Sequence, residues 1–128
     1  MAVDMSMNIL VVDDYKTMVR IIQNLLKQLG FNNLDEAANG VDALQKLKLN
    51  KYGLVISDWN MEPMTGYELL QSVRSDEDLK AMPFIMVTAE SKTENVIAAK
   101  KAGVNNYIVK PFNAATLKQK ISAVLGDF

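Results

Sequence analysis

Hydrophobic positions along this chain follow two periods in alternation. Asn8-Ile9-Leu10-Val11-Val12, Leu54-Val55-Ile56-Ser57 and Phe84-Ile85-Met86-Val87-Thr88 are short, nearly unbroken apolar runs. Runs of this length between turn signals read as strands buried on both faces. Leu34-Asp35-Glu36-Ala37-Ala38 is a weaker strand, expected near a sheet edge, and Tyr107-Ile108-Val109-Lys110 is a fifth. Between them the apolar period changes to that of a helix. Met18, Ile21, Ile22, Leu25, Leu26 and Leu29 define the buried face of a first helix. Val41, Leu44 and Leu47 mark a second, Leu69, Leu70 and Val73 a third, and Leu117, Ile121, Val124 and Leu125 the last.

The punctuation agrees with this division. Gly30 and Gly103 follow helical stretches, as left-handed caps do. Asn39 and Asn113 are placed to cap the second and fifth helices. Thr65-Gly66-Tyr67-Glu68 and Ser91-Lys92-Thr93-Glu94 have capping-box spacing and predict the starts of the third and fourth. Tyr52-Gly53 turns the chain into its third strand, and Met82-Pro83 breaks it before the fourth. Five βα units in succession predict an α/β fold, a parallel sheet with helices on both faces. At 128 residues this is one domain, with residues 1–7 expected to be a loose start and no output domain following.

Composition narrows the chemistry. Apolar residues make up 49% and charged residues 23%, with a net charge of −1, so there is no basic footprint for nucleic acid. No apolar run is long enough to cross a membrane and no signal peptide opens the chain, so the expectation is a cytoplasmic protein. Cysteine and histidine are both absent. Thiolate and imidazole nucleophiles are therefore excluded, and any metal must be held by oxygen, which points to Mg²⁺ or Ca²⁺.

The strands end in polar residues. Asp13 and Asp14 close the first, Asp58 the third, Thr88 the fourth and Lys110 the fifth. Each has an ordinary explanation when taken alone. Asp14 can cap a helix, Asp58 a turn, Thr88 is a common strand residue, and Lys110 before Pro111 suits a solvated turn. Their coincidence at the carboxyl ends of parallel strands, where open α/β sheets bind ligands, favours a site. Three crowded carboxylates raise one another's pKa unless a cation is bound, and with no His or Cys the cation of choice is Mg²⁺. A carboxylate so placed can attack phosphorus and form an aspartyl phosphate. Lys110 then offers a point charge and Thr88 a hydroxyl donor to the phosphoryl oxygens.

Val11-Val12-Asp13-Asp14, Ser57-Asp58-Trp59-Asn60-Met61, Val87-Thr88-Ala89-Glu90 and Val109-Lys110-Pro111-Phe112 together resemble the receiver domains of response regulators, over essentially the whole chain. Trp59, Asn60, Glu90 and Tyr107 bring it nearest to the stand-alone chemotaxis regulators of that family. The resemblance implies a flavodoxin-like (βα)5 doubly wound sheet of strand order 2-1-3-4-5. It implies Asp58 as phosphoacceptor from a histidine kinase. Asp14 would bind Mg²⁺ directly, Asp13 mainly through water, and Asn60 through its backbone carbonyl. Thr88 and Tyr107 would be a switch pair, although the residues alone favour Tyr107 as a strand aromatic with a surface hydroxyl. Asn60 and Glu90 would tune dephosphorylation by water or a phosphatase, and the Lys110–Pro111 bond would be cis.

The resemblance also implies a monomer that signals by binding, through the fourth helix, fifth strand and fifth helix, a target such as the flagellar motor switch. Lys92, Lys100, Lys101, Lys118 and Lys120 lie there, equally readable as a solvated face or an acidic docking site. The alternative output is that of a phosphorelay intermediate or phosphate sink. Beyond its own Mg²⁺-dependent phosphorylation and dephosphorylation, no enzymatic activity is expected. The acceptor loop departs from the family pattern: Glu62 stands where proline is usual, Pro63 follows one later, and Thr65 replaces an aspartate. Asp58-x-Asn60-x-Glu62 also resembles the start of an EF-hand, but Pro63 occupies the position that needs glycine. A haloacid-dehalogenase-type phosphatase would want aspartate where Asn60 stands, and a flavin carrier would not place Asp13 and Asp14 against a phosphate.

Overall fold

Alternate residues of a strand point to opposite faces of a sheet, and here both faces are apolar. In the computed structural model, which describes residues 4–89, 92–126 and 128, the strands are β1 (Asn8–Val12), β2 (Asn33–Ala37), β3 (Leu54–Ser57), β4 (Phe84–Thr88) and β5 (Asn106–Val109). Helices α1 (Lys16–Gln28), α2 (Gly40–Leu49), α3 (Gly66–Ser75), α4 (Thr93–Lys101) and α5 (Ala114–Leu125) connect and cover them. All pairs are parallel and the order is β2-β1-β3-β4-β5, as expected. Ile9, Val11, Leu54, Ile56, Ile85, Val87 and Ile108 face α1 and α5, meeting Val19, Ile22, Leu26, Leu117 and Ile121. Leu10, Val12, Val55, Phe84, Met86 and Tyr107 face the other way, against α2, α3 and α4. β2 lies at an edge and is the only strand with mostly half-buried or exposed residues among the first four.

Helix starts follow the capping logic with one correction. Asn39 accepts from Asp42 N–H, Asn113 from Thr116 N–H, and Thr65 and Glu68 form a complete capping box. The box expected at Ser91-Lys92-Thr93-Glu94 rests on Ser91, which lies outside the described residues; α4 itself follows Lys92, which makes no side-chain capping bond. Asp14 does not cap α1, whose N-cap is Tyr15, again without a side-chain bond. The buried stripe of α1 is also narrower than the apolar pattern suggested. Val19, Ile22 and Leu26 are buried, while Ile21 is 44% exposed. A helix lying on a sheet presents only one turn-spaced row to it, and Ile21 falls beside that row. Val41, on the first turn of α2, likewise points outward, and Ala43 and Leu47 carry the contact.

Gly30 and Gly103 take positive φ after α1 and α4, as their caps require. Arg74 at the end of α3 donates to the carbonyls of Lys80, Met82 and Gly103 and to Asn105 Oδ1, tying the α3–β4 and α4–β5 connections together. Burial lowers its pKa, with the guanidinium still charged at neutral pH. Met5 and Met7, which the sequence placed in a loose start, pack half-buried against the α1–α5 core, and Asn33 holds the Ser6 carbonyl at 2.6 Å. The Lys110–Pro111 peptide is cis, as the resemblance implied, and so is Glu62–Pro63, which the sequence did not announce. Among the described residues no helix is long and apolar enough to cross a membrane.

Candidate functional site

Strand register brings the aspartates together. β1 and β3 are direct neighbours, with Val12 opposite Ser57, and the Asp58 N–H continues the ladder to the Val12 carbonyl at 2.9 Å. Asp13 follows Val12 and is pinned on its other side to the Ala37 carbonyl. One carboxylate oxygen from each of Asp13, Asp14 and Asp58 can be chosen so that all three lie within 4.8 Å of one another. Asp13 and Asp58 are 3% and 9% exposed, while Asp14 is open to solvent. A helix-capping role, the ordinary explanation for Asp14, is absent, which leaves its carboxylate available to the cluster.

Lys110 comes to the same place from the other side. Its N–H bonds the Thr88 carbonyl at 2.9 Å, just beyond the end of β5, one residue earlier than the strand end expected. Lys110 Nζ then lies 3.4 Å from Asp13 Oδ2 and 3.9 Å from Asp58 Oδ2. The remaining oxygens are held by backbone: Tyr15 N–H donates to Asp13 Oδ1 at 3.0 Å and Trp59 N–H to Asp58 Oδ1 at 2.8 Å. Each buried carboxylate thus has one oxygen fixed by an amide and one turned toward the cation. Burial raises the Asp13 pKa, against the lowering effects of the Tyr15 amide and Lys110 and with a smaller raising effect from Asp58. The site holds an excess of negative charge that one lysine does not remove.

Thr88 is fully buried and Tyr107 is 8% exposed. Met86 pairs with Tyr107, so by alternation Thr88 and Tyr107 point to the same α2–α4 face of adjacent strands. Tyr107 is therefore mostly buried, its ring on the core face of β5 and part of it lining the surface groove beside α4. Asn60 is exposed beside the cluster, and Glu90 lies outside the described residues.

The acceptor loop contributes residues that sequence reasoning missed. Ser57 Oγ donates to the Asp58 carbonyl at 2.9 Å, and Met61 is buried beneath the loop. Gly66 N–H donates to the Trp59 carbonyl at 2.9 Å, and a Cβ on Gly66 would lie 1.9 Å from the Asp58 carbonyl oxygen. A glycine at the first turn of a helix is a poor helix former, and that was the available signal of a close approach. Trp59 stacks on Tyr67, with centroids 5.1 Å apart and planes at 15°. Glu62 and Pro63 are exposed. Asp14, Asn60, Met61, Glu62 and Thr65 line a shallow cleft of about 350 Å³ beside the aspartates. A larger concavity, about 670 Å³, lies at the opposite edge of the sheet, between the end of α2 and the loop before β4, far from this chemistry. On the face made by α4, β5 and α5, Val96, Lys100, Val104, Tyr107, Val109 and Lys120 line a groove of about 460 Å³.

Comparison with known proteins agrees with this geometry. Residues 9–122 match the family described as the response regulator receiver domain. The chain is 54% identical over 119 residues to chemotaxis protein CheY-3 of Vibrio cholerae, covering 93% of this chain and 92% of that protein. Among solved structures it is similar to the chemotaxis response regulator CheY4 of Vibrio cholerae, with a TM-score of 0.86 and 33% identity over 94% of this chain and 99% of that one. It is also similar to the receiver domain of sensor histidine kinase PA1611 from Pseudomonas aeruginosa, solved with magnesium coordinated in its active site cleft, at a TM-score of 0.85 and 25% identity over 95% and 99% of the two chains. With the strand order, the acidic cluster and these relationships in agreement, the chain belongs to the response regulator receiver domain family of two-component signalling.

Proposed function

We propose that this protein is a phosphorylation-activated response regulator that accepts a phosphoryl group from a histidine kinase onto Asp58. The observation that carries the reading is the meeting of three carboxylates within 4.8 Å with Lys110 Nζ inside 4 Å of two of them. The donor set is all oxygen and strongly negative, which fits Mg²⁺: Asp14 and Asp58 would hold it directly, Asp13 largely through water, and Asn60 by its carbonyl. When bound, the ion neutralises the carboxylates and the phosphoryl oxygens.

The chain's own groups do the rest. One Asp58 carboxylate oxygen attacks phosphorus in line, forming an O–P bond as the bond to the donor nitrogen breaks and the imidazole leaves with its electron pair. Trp59 N–H orients the attacking carboxylate, and Lys110 places a positive charge where phosphoryl oxygens arrive. The Thr88 hydroxyl is a donor to the same oxygens. Because Thr88 and Tyr107 share a face of β4 and β5, a shift of one alters the space available to the other, and Tyr107 lines the α4–β5–α5 groove. Lys100 and Lys120 on that groove suit an acidic target segment. Similarity to chemotaxis regulators supports a target of the flagellar motor-switch type, with Asn60 and Glu90 setting the lifetime of the phosphoryl group. The protein then acts as a cytoplasmic signalling component, not as a classical enzyme.

Mass spectrometry after exposure to a small phosphodonor with Mg²⁺ tests the reading. One acid-stable, base-labile adduct is expected on Asp58, absent with EDTA and in Asp58→Asn. An adduct that persists under either condition excludes the mechanism.

A further inference from the structure

We propose that Glu62 is a charge filter at the mouth of this site, disfavouring free dianionic phosphodonors relative to a phosphoryl group presented on a less negative carrier. The inference rests on the phosphoacceptor reading of Asp58 and adds a specificity-determining residue to it. Glu62 shares a cleft with Asp14, Asn60 and Thr65, and Asp14 belongs both to that cleft and to the acidic cluster. Glu62 therefore lines a cleft that adjoins the acidic cluster through Asp14, beside one approach to Asp58.

The charges inside and outside the site are balanced differently. Lys110 faces Asp13 and Asp58 inside, whereas among the described residues no lysine or arginine pairs with Glu62. Its backbone is also placed by the loop. Buried Met61 precedes it, and the Thr65 capping box and the Gly66-to-Trp59 hydrogen bond hold the loop's far end. Pro63 further limits the backbone. An uncompensated charge on the cleft beside the aspartates repels incoming anions in proportion to their charge.

With an acyl phosphate, attack by Asp58 forms the O–P bond and the acyl carboxylate leaves with the electrons of its P–O bond. With phosphoramidate the P–N bond breaks and protonated nitrogen leaves as ammonia. The acceptor chemistry is the same, but acetyl phosphate arrives as a dianion and phosphoramidate, at neutral pH, with one net negative charge. At high effective dielectric and several ångströms, one unit of donor charge changes the encounter on the order of threefold.

The experiment measures second-order phosphorylation rates with both donors on the full chain at saturating Mg²⁺, in low and high salt. Glu62→Gln should raise the rate with acetyl phosphate about threefold relative to phosphoramidate. Glu62→Lys should raise it further, and Glu62→Asp should keep the wild-type ratio. The differences should vanish at high salt, where the Debye length falls to about 3 Å. A donor ratio unchanged in Glu62→Gln overturns the proposal, as does a change that survives high salt, which would mean loop shape rather than charge. Wild-type protein that takes no adduct from either donor defeats the phosphoacceptor reading itself, and this inference with it.

Discussion

Gly66 and Asp58 touch through backbone: there is no room between the first residue of α3 and the Asp58 carbonyl oxygen for even a methyl group, since a Cβ would sit 1.9 Å from it. The clash is with main chain and cannot be relieved by a rotamer change. Gly66→Ala should therefore force the acceptor loop away from α3 and break the Gly66-to-Trp59 hydrogen bond. Overpacking of this kind costs about 1–3 kcal/mol or more. Urea denaturation should show that loss, together with slower phosphorylation of Asp58. Wild-type stability in Gly66→Ala would contradict the contact.

Asp13 is expected to impose a pH dependence of a particular sign. Its folded-state pKa is raised by burial, so its contribution favours folding below the unfolded value of about 4 and is lost as pH rises through the folded value. In EDTA at neutral pH, Asp13→Asn should melt at a higher temperature than wild type, with the gap closing as pH falls toward 4. Adding Mg²⁺ should stabilise wild type more than the variant. Calorimetry across pH checks both, and a lower melting temperature for the variant at neutral pH in EDTA would refute the account.

Tyr52 is a second titration probe, remote from the site. Its hydroxyl donates to Asp35 Oδ2 at 2.6 Å, and burial followed by the Asp35 carboxylate pushes its pKa up to about 12. The Asp35 carboxyl is held low: burial opposes this, but hydrogen bonds from Tyr52 and the Glu36 amide, with Lys46, outweigh it. The raised Tyr52 value means a contribution to stability present below about pH 10 and lost as pH rises through 12. Ultraviolet titration should show a late component that is lost in Tyr52→Phe and moves earlier in Asp35→Asn.

The Trp59–Tyr67 stack should report on the metal. The Trp59 amide is bonded to Asp58 Oδ1, so a cation drawing on that carboxylate displaces the indole relative to Tyr67. Trp59 fluorescence should change over millimolar Mg²⁺, and the change should be lost in Asp14→Asn. Tyr67→Leu should cost about 1 kcal/mol of stability through the lost ring contact. A flat Mg²⁺ titration of wild type would place the ion elsewhere.

How much of this was legible follows from where the information sits. Strand and helix identity is local: unbroken apolar runs, turn residues and caps at Asn39, Thr65 and Asn113 depend on neighbours a few residues away, and the structure has them as expected. Polar ends on Asp13, Asp14, Asp58, Thr88 and Lys110 could likewise be read directly, because parallel strands put their carboxyl ends on one edge. Strand order could not be read from periodicity, since five βα units pack in more than one sequence; it came from family resemblance, and the ladder between Val12 and Ser57 is what joins the aspartates. Only packing in three dimensions decided that Ile21 faces water, that Tyr107 is buried, that Asp14 caps nothing, and that Gly66 is required by a carbonyl eight residues earlier. Those facts are relations between surfaces brought together by the sheet, and no local pattern encodes them.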